Sequence, residues 1–355
     1  MLDIETISWE RYRENLRERA RIAGIPLTGT FELTPLCNFR CRMCYVRLDP
    51  DQVAAGGGLH SAQEWLDVAR QAQEMGLYRV TLTGGEPLTR PDFREIYEEL
   101  QDQGLLVSVL SNASLIDDEV LDLFRRRPPT NMRFTLYGAS NETYERLCGM
   151  PGGFDLVMRS LRRLSDAGIG YSLAFTETTE NIGELDEAQR VADSLGVALS
   201  VATTLVPTVR GATNEADELR VPLVERPDFC DYDPEGDVPE GVVTPLGPND
   251  AFAMCGPYRS GFFLQWNGDL EVCSFMSWCH SRPFELGFRA AWDDMLEKLA
   301  SVTVPEKCLS CGMTRFCSAC PGVRYAETGR PDGIPRRLCD NAREWMFRAR
   351  MAHGK

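Results

Sequence analysis

Residues 34–48 read TPLCNFRCRMCYVRL, and three cysteines, Cys37, Cys41 and Cys44, stand there in C-x3-C-x2-C spacing. Thiolates so close along one loop suit a metal centre. Three of them leave one iron of a four-iron cluster open to a small molecule. A zinc site is the competing reading, but structural zinc takes four protein ligands. No histidine stands near the triplet to complete that set, since the chain has only His60, His280 and His353.

Outward from the triplet, short β-type runs alternate with amphipathic helical stretches over residues 29–203. The predicted strands are Gly29–Leu36, Leu77–Leu82, Leu105–Leu110, Asn131–Tyr137, Ile169–Phe175 and Val197–Thr203. Ser61 with Glu64 three residues on reads as a capping box. Gly76, Gly104, Gly168 and Gly196 each stand where a helix should stop. Six βα units predict a parallel sheet, either doubly wound or a partial barrel, and periodicity does not separate the two. In both, ligands bind in the loops after the strands. The triplet follows the first strand and Gly84-Gly85-Glu86-Pro87 the second. Ser111-Asn112 ends the third and Gly138-Ala139-Ser140 the fourth. All four features therefore fall on one rim.

Beyond residue 204 the pattern changes. Residues 205–250 are rich in proline and acidic residues and read as a connecting segment. A cysteine-rich region follows, with a hairpin over Gly261–Val272 turned at Asn267-Gly268 and a helix over Ala290–Ala300. It holds Cys255, Cys273, Cys308, Cys311, Cys317, Cys320 and Cys339. So short and loop-rich a region buries little core, and bound metal would hold it together. Cys148 and Cys230 read as isolated buried thiols, and Cys279 sits among Phe275, Met276 and Trp278 as local core.

Composition narrows the setting. The opening MLDIETISWERYRENLRERA has charges throughout and no apolar signal region, and no run approaches the roughly 18 apolar residues of a membrane span. A reducing, cytoplasmic location is expected, where thiols serve metals or catalysis. A net charge of −15 should repel nucleic acid, and only the short Arg125-Arg126-Arg127 run is basic. No nucleic-acid or membrane partner is expected.

The triplet, with Tyr45 directly after its last cysteine, resembles the signature of the radical S-adenosylmethionine (radical SAM) superfamily, and Gly84-Gly85-Glu86-Pro87 resembles its GGEP motif. The resemblance implies a partial (β/α)6 TIM-like barrel. It also implies a cluster on Cys37, Cys41 and Cys44 whose open iron chelates S-adenosylmethionine and cleaves it to a 5′-deoxyadenosyl radical. In such enzymes Gly84, Gly85, Glu86 and Pro87 receive the methionine amino group, Ser111 and Asn112 the ribose hydroxyls, and Thr135 and Arg146 the carboxylate. Read from the residues alone, Asn112 is as readily a turn cap and Arg146 a solvated helix charge.

The second cysteine set resembles the SPASM extension of one branch of that superfamily. Cys255, Gly268 and Cys273 fit its opening spacing, and Cys308, Cys311 and Cys317 its C-x2-C-x5-C run; two residues, where three are usual, separate Cys317 from Cys320. The resemblance implies three [4Fe–4S] clusters. Cys308, Cys311, Cys317 and Cys339 would hold an outer auxiliary cluster, and Cys255, Cys273 and Cys320 an inner one. The inner cluster then lacks a fourth cysteine, which leaves either Cys279 as ligand or an open iron. The domains implied are a helical extension over 1–28, the radical core over 29–204, the connecting segment over 205–250, the SPASM domain over 251–345 and a tail over 346–355.

Enzymes of this branch mostly modify ribosomally made peptides by crosslinking, epimerisation or related oxidation, and this is the first function implied. Sulfatase maturases carry an aspartate after the second auxiliary cysteine, where this chain has Ser274. A peptide substrate and a flavodoxin- or ferredoxin-type electron donor are the implied partners. Only about 28 residues precede the first strand, so leader recognition would use the core surface or a separate protein. The second hypothesis is a radical enzyme acting on a small metabolite or cofactor precursor. A non-catalytic iron–sulfur electron carrier is the third; the triplet and GGEP argue against it, since a carrier needs no cofactor cradle. No catalytic acid or base stands out, although Glu32, Tyr137, Glu177 and Tyr258 are placed to face a cavity.

Overall fold

The computed structural model describes residues 8–207, 214–222, 247–317 and 320–352. Most of the predicted connecting segment, Cys230 and the end of the tail lie outside these residues. Six strands, β1 (Thr28–Glu32), β2 (Arg79–Thr83), β3 (Leu106–Ser111), β4 (Asn131–Leu136), β5 (Ser172–Thr176) and β6 (Leu199–Ala202), run parallel in chain order. Two more, β7 (Gly261–Leu264) and β8 (Leu270–Glu271), complete one sheet in the order β6-β5-β4-β3-β2-β1-β7-β8. The outer strands β6 and β8 do not pair with each other, so the barrel stays open, as a partial barrel requires.

Local signals account for the helices between strands. Ser61 and Glu64 form the capping box at the start of the Ala62–Glu74 helix, with Glu64 N donating to Ser61 Oγ at 3.3 Å and Ser61 N to the Glu64 carboxylate at 2.8 Å. Gly76, Gly104, Gly168 and Gly196 follow their helices with positive φ, the backbone that glycine adopts freely. Between sheet and helices lies the core. Phe31 of β1 meets Trp65 at 5.1 Å between ring centroids, and Val80, Leu82, Val107, Val109, Phe134 and Phe175 are fully enclosed. Each such side chain contributes about 1.5–3 kcal/mol by leaving water.

Two features differ from the sequence reading. The first strand ends at Glu32 rather than Leu36, because residues 34–36 leave the sheet to clasp the turn after β2. The hairpin, expected inside a separate cysteine-rich unit, instead extends the core sheet: β7 lies parallel to β1, with Thr28 beside Gly261, and β8 returns antiparallel. The Phe288–Ala300 helix fastens this region further. Trp292 Nε1 donates to Gly24 O at 2.8 Å and Phe288 N to Gln71 Oε1 at 2.8 Å, tying it to the Trp9–Ala23 and Ala62–Glu74 helices. Among the described residues no helix is long and apolar enough to cross a membrane.

Candidate active site

The triplet loop and the Gly-Gly turn form one unit. Leu33 N donates to Thr83 O at 2.9 Å, Gly85 N to Thr34 O at 2.7 Å and Glu86 N to Leu36 O at 2.9 Å. A Cβ on Gly84 would stand 2.5 Å from Thr34 O, and one on Gly85 2.5 Å from Leu36 O. Glycine is required here because two backbones touch, and the loop that carries the cysteines is thereby held against the end of β2.

Two thiols of the triplet have backbone donors close by. Phe39 N lies 3.4 Å from Cys37 Sγ, while Val46 N and Arg47 N lie 3.4 and 3.3 Å from Cys44 Sγ. Burial nonetheless pushes the Cys37 thiol up to about 12 and raises that of Cys44. These thiols are therefore protonated at neutral pH, and iron must displace the protons on loading. Among the described residues no three His, Cys, Asp or Glu side chains share a single-ion site. Three thiols on one loop are what a four-iron cluster takes, with each thiolate on a separate iron. The donor set suits the cluster.

Glu86 is fully enclosed. Its carboxylate accepts from Asn112 N at 2.7 Å, Leu88 N at 3.1 Å and Ser111 Oγ at 3.0 Å, yet burial outweighs these donors and pushes the group up to about 7. It thereby joins the turn after β2 to the end of β3. Asn112 donates from Nδ2 to Asn38 Oδ1 at 3.0 Å and lies 3.7 Å from Cys37 Sγ. Ala113, next in the chain, is enclosed and has φ of 64°, a left-handed conformation costly for alanine. Ser111 and Asn112 thus lie on the triplet's rim, already engaged in shaping it.

The remaining predicted contacts are more dispersed. Pro87 opens a short helical turn, and Thr135 sits half-buried in β4 beside Ala174 of β5. Arg146 is paired with the Glu180 carboxylate and donates to Glu180 O at 2.9 Å. Glu180 also takes Arg42 at 2.9 Å, and Arg42 reaches Glu215, so the Arg146 charge belongs to a network around the triplet loop. Tyr45 leaves the loop in the other direction: its hydroxyl is 3.5 Å from Ser274 Oγ and its ring meets Phe275 edge-on at 5.4 Å. Of the cavity candidates, Glu32 and Glu177 are buried, Tyr258 stacks on Phe252 at 4.3 Å, and the Tyr137 ring packs on Phe39 at 6.1 Å between centroids.

The auxiliary cysteines sort by position. Cys255, Cys273 and Cys320 lie within electrostatic reach of one another, and burial raises the Cys255 thiol to about 11 and that of Cys273 further. Cys320 caps the N-terminus of the Pro321–Thr328 helix, whose dipole favours negative charge there. Cys308, Cys311, Cys317 and Cys339, with Cys320, wall a cavity of about 330 Å³. Arg324, which the sequence did not single out, donates to Cys308 Sγ at 3.5 Å. Cys279 is enclosed and donates to Met295 O at 3.7 Å; the charges acting on it come from Lys298, Asp294 and Glu271, not from any cysteine.

The radical SAM superfamily signature matches residues 31–192, and that stretch is a radical SAM domain. The chain is a radical SAM enzyme, with S-adenosylmethionine and a [4Fe–4S] cluster as cofactors. Among curated proteins it is 26% identical over 336 residues to the AdoMet-dependent heme synthase of Methanosarcina barkeri, across 87% of this chain and 95% of that protein. It is 27% identical over 355 residues to the mycofactocin maturase MftC of Mycobacterium tuberculosis, across 92% and 86%. The fold is that of Streptococcus suis SuiB, with a TM-score of 0.67 and 16% identity over 94% of this chain and 83% of that one. It is also that of anSMEcpe with bound AdoMet, at TM-score 0.62 and 14% identity over 93% and 100%.

Proposed function

We propose that this radical SAM enzyme modifies a ribosomally made peptide, by crosslinking, epimerisation or a related oxidation, with two auxiliary [4Fe–4S] clusters beside the radical cluster. The observation that carries this reading is the contact between Tyr45 of the triplet loop and Ser274 beside Cys273, which supports an inner cluster next to the radical cluster. Relatives named as a mycofactocin maturase, a bacteriocin biosynthesis protein and a killing factor maturation protein, and a neighbour recorded bound to its precursor peptide, support a peptide substrate.

When bound, the triplet's cluster supplies the electron that splits S-adenosylmethionine into methionine and a hydrogen-abstracting radical. The chain's own residues do the rest. Gly84 and Gly85 let the two loops close against each other, Glu86 fixes the ends of β2 and β3, and Asn112 with Asn38 holds the wall beside Cys37. Cys308, Cys311, Cys317 and Cys339 would ligate the outer auxiliary cluster and Cys255, Cys273 and Cys320 the inner. Its fourth position would stay open to a substrate donor, since Cys279 is turned to the Met295 carbonyl. A flavodoxin- or ferredoxin-type protein would supply the electron, and a separate protein or the core surface would bind a leader.

A second reading is a small metabolite or cofactor precursor as substrate, favoured by the heme synthase relative, which this chain matches over 95% of its length. Anaerobic reconstitution with iron, sulfide, S-adenosylmethionine and dithionite tests the chemistry. 5′-Deoxyadenosine is the expected product, and its absence sinks both enzyme readings. Mass spectrometry of short peptides encoded beside the gene and co-expressed with the enzyme then separates them. A mass change in a peptide supports the first; deuterium exchange into a porphyrin-type precursor with no peptide modified supports the second.

A further inference from the structure

A cavity of about 310 Å³ opens at the other end of the sheet from the triplet. Thr28 starts β1, Arg79 starts β2 and Gly261 starts β7, and the register sets Thr28 between the other two. The triplet and the Gly-Gly turn follow the opposite ends of β1 and β2. Thr28, Tyr78, Arg79 and Ser260 line the cavity from the sheet, and Arg13 and Arg17 line it from the Trp9–Ala23 helix. Its volume falls in the range of small-molecule sites, about 300–1,000 Å³.

Charge sets this cavity apart. The chain carries 53 acidic residues against 38 lysines and arginines, yet no acidic side chain lines the cavity. Arg13, Arg17 and Arg79 form no ion pair among the described residues. Arg13 and Arg17 stand four apart on one helix face, where like charges repel. Arg79 Nε is buried and donates to nothing, and its guanidinium carbon lies 5.7 Å from the centroid of the Tyr78 ring. A buried donor without a partner is costly and uncommon. One kind of ligand relieves both the repulsion and the stranded donor: an anion with several oxygens. Guanidinium is the side chain that grips carboxylate or phosphate through two parallel bonds. The Thr28 and Tyr78 hydroxyls, which have no hydrogen bond among the described residues, add neutral donors.

We propose that this cavity is a second ligand site, remote from the triplet, that binds a small polyanion through its phosphate or carboxylate oxygens. Arg13, Arg17 and Arg79 supply the positive charge, and Thr28 and Tyr78 supply the hydroxyls. The site is independent of the cluster and substrate readings above, and neither stands or falls with it.

The test is isothermal titration calorimetry of the reconstituted full chain at low ionic strength, with inorganic phosphate and tricarballylate as separate probes. One-to-one binding is expected, and the probe that binds distinguishes phosphate from carboxylate. Arg79→Gln, and Arg13→Gln with Arg17→Gln, should each weaken it about tenfold. Added salt should weaken it in the wild type. Arg19→Gln removes an exposed charge from the same helix outside the cavity and should leave the affinity unchanged. Should Arg79→Gln fail to fold, the double variant on the helix leaves the sheet intact and still decides. Absence of saturable binding of both probes by the wild type overturns the proposal. So does wild-type affinity in the cavity variants, or an equal loss in Arg19→Gln, since net charge alone would then draw the anion.

Discussion

Glu86 shows how tightly one residue of a motif can be built into the protein around it. The sequence places it as an acceptor for an ammonium group; the structure encloses it and satisfies it with Ser111, Leu88 and Asn112. Burial moves its carboxyl from 4.5 to about 7. Below pH 4.5 the group is neutral in both folded and unfolded chains and burial costs nothing. Between 4.5 and about 7 the unfolded chain ionises first, so stability falls as pH rises, and above 7 the loss is complete. At roughly 1.4 kcal/mol per unit, that loss is about 3 kcal/mol. Urea unfolding of the metal-free protein at pH 5 and pH 8 should show wild type losing this much relative to Glu86→Gln. Parallel pH profiles for the two would refute the assignment.

Among elements, the described segment 214–222 acts as a strap between the core and the cysteine-rich region. Glu215 N donates to Arg42 O at 2.8 Å and Thr179 N to Leu219 O at 2.9 Å, which fastens it beside the triplet loop. Arg220 donates to Leu205 O at 3.0 Å and to the Glu327 carboxylate at 2.7 Å, where Arg337 also arrives at 2.6 Å. The Arg220 and Glu327 side chains are only 12% and 9% exposed, so this pair is weakly screened. Arg220→Met should cost about 2–3 kcal/mol, below the full cost of stranding a buried charge because Arg337 remains. Denaturant unfolding measures it, and Arg220→Met with Glu327→Leu should be less destabilised than Arg220→Met alone. An additive double variant would show that the pair is not coupled.

For the whole molecule, pairing the hairpin with β1 brings Ser274, next to Cys273, against Tyr45 of the triplet loop rather than onto a detached unit. With the two auxiliary clusters proposed above beside the radical cluster, the chain would carry about twelve irons, from three four-iron clusters. Cys279→Ala should leave that figure unchanged, because its sulfur faces the Met295 carbonyl. Cys273→Ala and Cys308→Ala should each remove about four. Iron and sulfide analysis after anaerobic reconstitution gives the answer, and loss of about four irons in Cys279→Ala would return Cys279 to the inner set.

What the sequence determined by itself was local: the triplet's spacing, the Gly-Gly turn, the capping box at Ser61, the helix-ending glycines and the six βα units with their ligand features on one rim. Each is carried by residues a few positions apart, where backbone geometry and solvent exposure act directly on the chain. Only the tertiary structure decided that β7 joins β1, that the Cys279 thiol is turned to the Met295 carbonyl, and that Arg146 is held by Glu180. These depend on which surfaces the sheet and helices bring together. No local spacing encodes such contacts, because packing between distant segments is selected by burial of the whole core.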